Sequence, residues 1–218
     1  MYERMRYNYK KGVEKQKSRK WVALPILGLF GGLYMLANAL APTVPQIFVS
    51  ADATAKKLVV SRPGLQENRL YLPKINVDVA VVPVDDDEAA ALEKGAINRS
   101  PSSGNPKEGG NFVLAAHRFN MGLTPNNTRA KSPFYYLNKI SEGDDIYLDY
   151  EGVRYAYKVI ETRSVKPDAV EIEERTDDDR LTLYTCELAG PEAGRDVVIA
   201  EPQGVIVWTS GVPKLKAL

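Results

Sequence analysis

VRYAYKVIETRSV, Val153 to Val165, is the stretch whose reading decides the fold class. In its first half Val153, Tyr155, Tyr157 and Val159 alternate with Arg154, Ala156 and Lys158, the period of a strand that buries one face. Working outward, further β-rich runs are broken by turn signals: Arg69 to Leu72, Ile75 to Val84, Asn111 to His117, Asp145 to Tyr150, Leu181 to Cys186, Val197 to Ala200 and Val205 to Trp208. Strands at this spacing without βαβ alternation predict a mainly β barrel or sandwich. Two short helices are expected. Asp85 to Glu88 followed by AAALEKGA places acids at a helix start and glycine at its stop, and Ser132 to Ile140 opens with a serine cap and Pro133. The loops Gly104–Gly110 and Asn120–Asn127 flank the run that ends at His117, where loops commonly form site walls.

The chain has 218 residues, 44% hydrophobic and 26% charged, which describes a globular protein and excludes a disordered or fibrous one. Its net charge of +1 hides an asymmetry, because residues 1–20 hold eight Lys/Arg against Glu3 and Glu14. Trp21 to Ala41 follows with no charged residue over 21 positions, about the length that crosses a bilayer as a helix. Tyr34 and Asn38 are its polar side chains, too few for the polar stripe of a core helix. Ala37-Asn38-Ala39 and Ala39-Leu40-Ala41 offer small-residue cleavage patterns, but the run is long for a signal peptide and an uncleaved anchor is favoured. The expected organisation is a cytoplasmic basic tail over 1–20, a transmembrane anchor over 21–41, an extracellular stalk over 42–67, a folded β domain over 68–210 and a tail over 211–218. Nucleic acid is not an expected partner, since the basic residues collect where anionic lipid is the simpler one.

One cysteine and one histidine occur in the whole chain, Cys186 and His117, each at the end of a predicted strand. Thiol and imidazole are the minimum pair for thiolate catalysis, because imidazole activates the sulfur and then protonates a leaving group. Inert packing and a structural histidine are the bland alternatives. Outside the membrane a single cysteine forms no internal disulfide, which strengthens the catalytic reading. Nine residues on, Arg195 opens the apolar run DVVIA; if the two runs are neighbouring strands, its guanidinium lies beside the sulfur and can bind an oxyanion.

Together, Thr182-Leu183-Tyr184-Thr185-Cys186, Ala116-His117-Arg118 and the downstream Arg195 resemble the sortases, membrane-anchored cysteine transpeptidases. LYLPKINVDVAVV, GAINRSPSSGNPKEGGNFVLAAHR and SPFYYLNKI extend the likeness over about residues 69–208. The resemblance implies a closed eight-stranded β-barrel with one or two short helices. It further implies that Cys186 attacks a carbonyl in a C-terminal LPxTG-like motif to give a thioacyl enzyme. His117 would act as general acid/base, Arg195 would hold substrate or oxyanion, and Thr185 would line the peptide groove. Surface proteins bearing the motif and an amine acceptor such as a cell-wall precursor would be the partners. No Asp-Pro-aromatic lid element precedes the β domain and VIVWTSGVPKLKAL is too short to span, so a housekeeping or class D/E-like type is expected over a pilin-polymerising one. No cofactor is required. The acidic runs Asp85–Glu88, Glu171–Glu174 and Asp177–Asp179 offer oxygen ligands for calcium, against which solvated acidic faces are the simpler reading, and a zinc site has too few nitrogen and sulfur donors. The alternatives are a membrane-tethered cysteine endopeptidase and a non-catalytic cell-wall-binding β domain.

Overall fold

The computed structural model describes residues 18–43, 62–65, 67–84, 86–210 and 212–217. Most of the basic tail, most of the stalk and Asp85 lie outside the described residues. Ten strands are formed among the described residues: β1 (Arg69–Leu72), β2 (Val77–Val82), β3 (Ala96–Asn98), β4 (Gly104–Asn105), β5 (Gly109–Ala115), β6 (Asp145–Tyr150), β7 (Val153–Val165), β8 (Arg180–Glu187), β9 (Gly190–Thr209) and β10 (Val212–Lys216). Eight of them pair in the order β1-β2-β3-β5-β8-β9-β7-β6, and β6 pairs back onto β1, closing a ring. Closure leaves the ring without a free edge. β4 adds to the start of β5, and β10, within the expected tail, adds to the last part of β9. Where two separate strands are predicted over 197–208, a single 20-residue strand runs through, first between β8 and β7 and then between β10 and β7.

The interior of the ring is apolar: Leu70, Leu72, Leu114, Leu148, Leu181, Leu183, Val198 and Ala200 alternate inward from their strands. The end of the ring near His117 is sealed by the segment predicted as the second helix. It does not form an α-helix. Successive i→i+3 bonds, Tyr135 N–H to Ser132 O (3.2 Å) and Leu137 N–H to Phe134 O (3.1 Å), lead into a 3₁₀ helix at Leu137–Lys139. Three-residue turns bring Phe134, Leu137 and Ile140 onto one face, and all three are buried in the core. Two α-helices do form in the β domain. In α2 (Glu88–Leu92) the Asp87 carboxylate caps the Ala90 N–H at 3.0 Å, as the acid-rich start predicts. In α3 (Pro125–Ala130), inside a predicted loop, Thr124 caps and Pro125 takes the first turn. α1 (Ser18–Leu40) precedes the domain, and Ala23–Thr43 is long and apolar enough to cross a membrane.

β7 departs from simple alternation at three positions: Val153, read on the buried face, is exposed, and Arg154 and Ala156, read on the solvated face, are buried. Arg154, on the face read as solvated, is 1% exposed. Its guanidinium forms a fork with Asp149 (Nε–Oδ1 2.6 Å, Nη2–Oδ2 2.7 Å), while Tyr71 donates to the same carboxylate at 3.0 Å. The Tyr71 ring lies 5.0 Å from the guanidinium carbon and the Trp208 ring 5.9 Å, so aromatic faces cover the charge. Phenol ionisation beside that carboxylate is opposed first by burial, which pushes the Tyr71 pKa up to about 12. Removing one partner of a buried pair leaves the other charge uncompensated. Asp149→Ala is expected to lower unfolding free energy in urea by roughly 3–5 kcal/mol, whereas Asp145→Ala, whose partner Lys158 is at the surface, changes it by about 1 kcal/mol or less.

Candidate active site

The site is built by the neighbours of β8. On one side β8 runs parallel to β5 with Leu114 opposite Leu183 and Ala115 opposite Tyr184. The pairing continues past the strand end, where Ala116 N–H donates to Tyr184 O at 3.4 Å and Thr185 Oγ1 donates to Ala116 O at 2.8 Å. This register carries His117 to the level of Cys186. On the other side β8 runs antiparallel to β9, and Cys186 is the direct cross-strand partner of Arg195. The three residues singled out in the sequence therefore lie side by side: Cys186 near the end of β8, Arg195 across from it within β9, and His117 two residues past the end of β5.

Strand alternation then fixes the face. His117 shares the parity of Val113 and Ala115, Cys186 that of Tyr184, and Arg195 that of Val197 and Ile199. Those neighbours form a second apolar cluster on the outside of the ring with Ile97, with Ala91 of α2 and with Ile172 of the 3₁₀ turn Val170–Glu173. The three residues thus share the outer sheet face with this cluster, whose Val113, Ala115, Tyr184 and Val197 are buried where α2 and the 170–173 turn pack over them. Arg99 joins α2 and the turn, ion-pairing with Glu88 and, at 3.6 Å, with Glu173, which also accepts from the Tyr184 hydroxyl. Thr185 does not share this face. It points to the opposite face, is 1% exposed, and commits its hydroxyl to Ala116. The same alternation, read from the neighbouring cysteine, is the sequence signal that places it inside.

A bulge lies at the cysteine. The β8–β9 register shifts between Cys186 and Glu187, so that Glu187 pairs with Gly190 and residues 191–194 loop out before Arg195. Bulges re-aim side chains, and here the loop returns through Gly194 at φ +147, where a Cβ would lie 2.8 Å from Val165 O. Arg195 Nη1 donates to Gly194 O at 3.0 Å. Cys186 is partly exposed and free.

Sequence reasoning misses two groups. Arg118, 8% exposed, ion-pairs with Asp196, which also accepts from Ser164 at 2.9 Å, and so ties the segment after His117 to β9 and β7. Glu93, at the end of α2, holds Lys131 and Asn120 and places a carboxylate oxygen 4.0 Å from His117 Nε2. Burial is the main influence on His117 and lowers its pKa; Glu93 opposes that and Lys131 adds to it. Acids elsewhere are engaged as well, with Asp179 accepting from Gly110 N–H at 2.9 Å. Among the described residues no three Asp, Glu, His or Cys side chains converge on one point as calcium would require.

A partly exposed thiol, a half-buried imidazole and a guanidinium on a shared sheet face form an arrangement suited to cysteine-dependent acyl transfer. The sortase-domain family model matches residues 70–203, and the chain belongs to the sortase family, whose members are cysteine transpeptidases. It is 33% identical over 94 residues to sortase A of Listeria monocytogenes, a match spanning 42% of this chain and 38% of that protein. The solved structure of Listeria monocytogenes sortase A superposes with a TM-score of 0.53 at 25% identity, over 63% of this chain and 87% of that one. A sortase D5 transpeptidase from Clostridium perfringens shares the fold at 19% identity, with a TM-score of 0.52 over 77% of this chain and 99% of that one.

The Glu93 carboxylate favours imidazolium, so its neutralisation lowers the His117 pKa further. If the reacting form pairs thiolate with imidazolium, Glu93→Gln moves the acid limb of the kcat/KM pH profile to lower pH and reduces its plateau by roughly two- to fivefold, as expected of a partly exposed charge. An unmoved limb, read by steady-state peptide kinetics from acid to mildly alkaline pH, would separate Glu93 from the proton chemistry.

Proposed function

We infer that this protein is a membrane-anchored transpeptidase that cleaves an LPxTG-like C-terminal sorting motif and passes the acyl group to an amine of the cell envelope. The observation that carries the reading is the shared register and shared sheet face of His117, Cys186 and Arg195. A peptide docked on this face brings its scissile carbonyl to the sulfur. Cys186 thiolate adds to the carbonyl carbon, the charge that develops on oxygen is met by the Arg195 guanidinium, and the C–N bond breaks as His117 gives its proton to the leaving amine. The thioester conserves the energy of the cleaved amide, so no cofactor is consumed. An incoming amine then loses its proton to His117 and displaces the thiolate, and water is the competing nucleophile.

A free thiol and imidazole, with pKa values of about 8.5 and 6.5, are mostly neutral together, and the burial of His117 deepens that state. The thiolate/imidazolium pair is then the minor reacting form. Thr185 acts from the other face, holding the His117 segment against β8. The basic tail lies in the cytoplasm, α1 crosses the membrane and the β domain is outside, consistent with the excess of Lys/Arg before the span. Surface proteins bearing the motif and a cell-wall precursor amine are the proposed partners.

Incubation of the protein with LPxTG-like peptides and an amine, read by mass spectrometry, should show an acyl adduct on Cys186 and a transpeptidation product. Cys186→Ala abolishes both. Arg195→Ala lowers kcat/KM by about 10²–10³-fold, and His117→Ala by about 10²–10⁴-fold. Absence of any adduct over a broad peptide set, together with a Cys186 thiol that resists alkylation at neutral pH, would sink the reading.

A further inference from the structure

The segment Phe119–Leu123, which follows His117 and Arg118, has its side chains and its backbone facing opposite solvents. Phe119, Met121 and Leu123 are 37%, 45% and 84% exposed, an apolar patch at the surface. Four of the backbone polar groups beside them pair within the protein. Asn120 N–H donates to Ser132 Oγ at 3.0 Å, Asn120 O accepts from the same hydroxyl at 3.3 Å, Gly122 N–H donates to Thr128 Oγ1 at 2.9 Å, and Leu123 O accepts from the Tyr34 hydroxyl. In water a loop needs no such internal pairing, because solvent supplies it; at membrane depth each unpaired group is costly.

The last of those bonds names the occupant. Tyr34 belongs to α1, seven residues before the end of the apolar run at Ala41, which is about 10 Å along a helix. Asn38, one turn further, is 1% exposed and accepts from Thr128 Oγ1 at 3.2 Å, while Arg129 Nε donates to Ala41 O at 3.3 Å. Both polar side chains of the apolar run are thus taken up by α3 and the loop before it. Gly122 is the close-approach point, since a Cβ there would meet the Asn127 Cβ at 2.5 Å. Arg129, beside the last turn of the span, stands where phosphate headgroups would be.

We propose that Phe119, Met121 and Leu123 insert into the outer interface of the bilayer beside α1 and seat the catalytic domain on the membrane with its active-site end toward the lipid. The proposal rests on α1 as a membrane span. Its occupant is lipid because the patch is continuous with the lipid-facing surface of α1, where Leu29, Phe30, Leu33 and Leu36 are also exposed.

Single cysteines read this directly in the full chain carrying Cys186→Ala, reconstituted in phosphatidylcholine vesicles with a minority of phosphatidylglycerol. The sites are Met121→Cys, Leu123→Cys, Leu29→Cys in the span and Ser102→Cys near the opposite end of β5, each labelled with the fluorophore NBD. The bond from Tyr34 is to the Leu123 backbone, so the substitution keeps it. Positions 121 and 123 are expected to show blue-shifted emission and a roughly twofold or greater quenching by lipids spin-labelled near the headgroup. Position 29 should be quenched by deep labels and position 102 by neither. Water-like emission at 121 and 123 with position 29 deep in lipid overturns the seated loop and leaves the anchor standing. Water-like emission at position 29 overturns the anchor and the proposal with it.

Discussion

β8 is hydrogen-bonded along both edges, parallel to β5 and antiparallel to β9, and the rest of the molecule depends on that double pairing. It closes the ring, and it sets the active-site groups side by side, because strands in a sheet stand about 4.8 Å apart and period-2 alternation decides which side chains face out. Leu181, Leu183 and Thr185 occupy the inward positions of β8, so a slip of one residue would turn Cys186 into the core and expose the leucines. The burial that stabilises the ring is therefore what aims the thiol. Thr185 and Arg118 secure the one weak point, where β5 has ended and His117 is carried on two further residues of chain.

Electrostatics at the site pull in opposing directions. The half-buried imidazole resists protonation, while a thiolate beside it requires a positive neighbour. Glu93 and Arg195 stand on different elements: the carboxylate at the end of α2 favours a proton on His117, and Arg195 lies across from Cys186 on the neighbouring strand. Lys131 holds Glu93 in place but also works against the imidazolium, so the balance is set by a small cluster rather than by one pair.

The parts of this arrangement legible in the sequence were those written in local periodicity and rare residue types. β6 and β7 have the bounds their patterns predict, and the single cysteine and histidine could belong to few chemistries. What escaped reading depends on neighbours brought in by the tertiary fold. Arg154 looks solvated until Asp149, Tyr71 and Trp208 arrive from three other strands. Ser132–Ile140 has a helix start, yet its apolar residues recur every three positions and the core selects the tighter turn. The helix at Pro125 was hidden in a stretch rich in turn residues, although Thr124-Pro125 is the same start signal credited at Ser132-Pro133. Arg118 and Glu93 are charged residues of ordinary type, and only tertiary placement distinguishes them from surface charge.

The contacts of α1 bear on how the enzyme would meet its substrates. His117 lies six residues before Leu123, whose carbonyl Tyr34 holds, so the imidazole is within about 20 Å of the helix by chain length alone. Tyr34, Asn38 and Arg129 add contacts between α1 and the β domain, and under the proposed seating these hold the face that carries His117, Cys186 and Arg195 at one height and one tilt. For partners that are themselves held at the membrane, that restriction turns a search in volume into one in a thin layer and raises effective concentration without any new contact to the substrate. The polar residues of an otherwise apolar span, which in isolation look like imperfections of a membrane helix, are then the means by which the anchor sets the position of the chemistry.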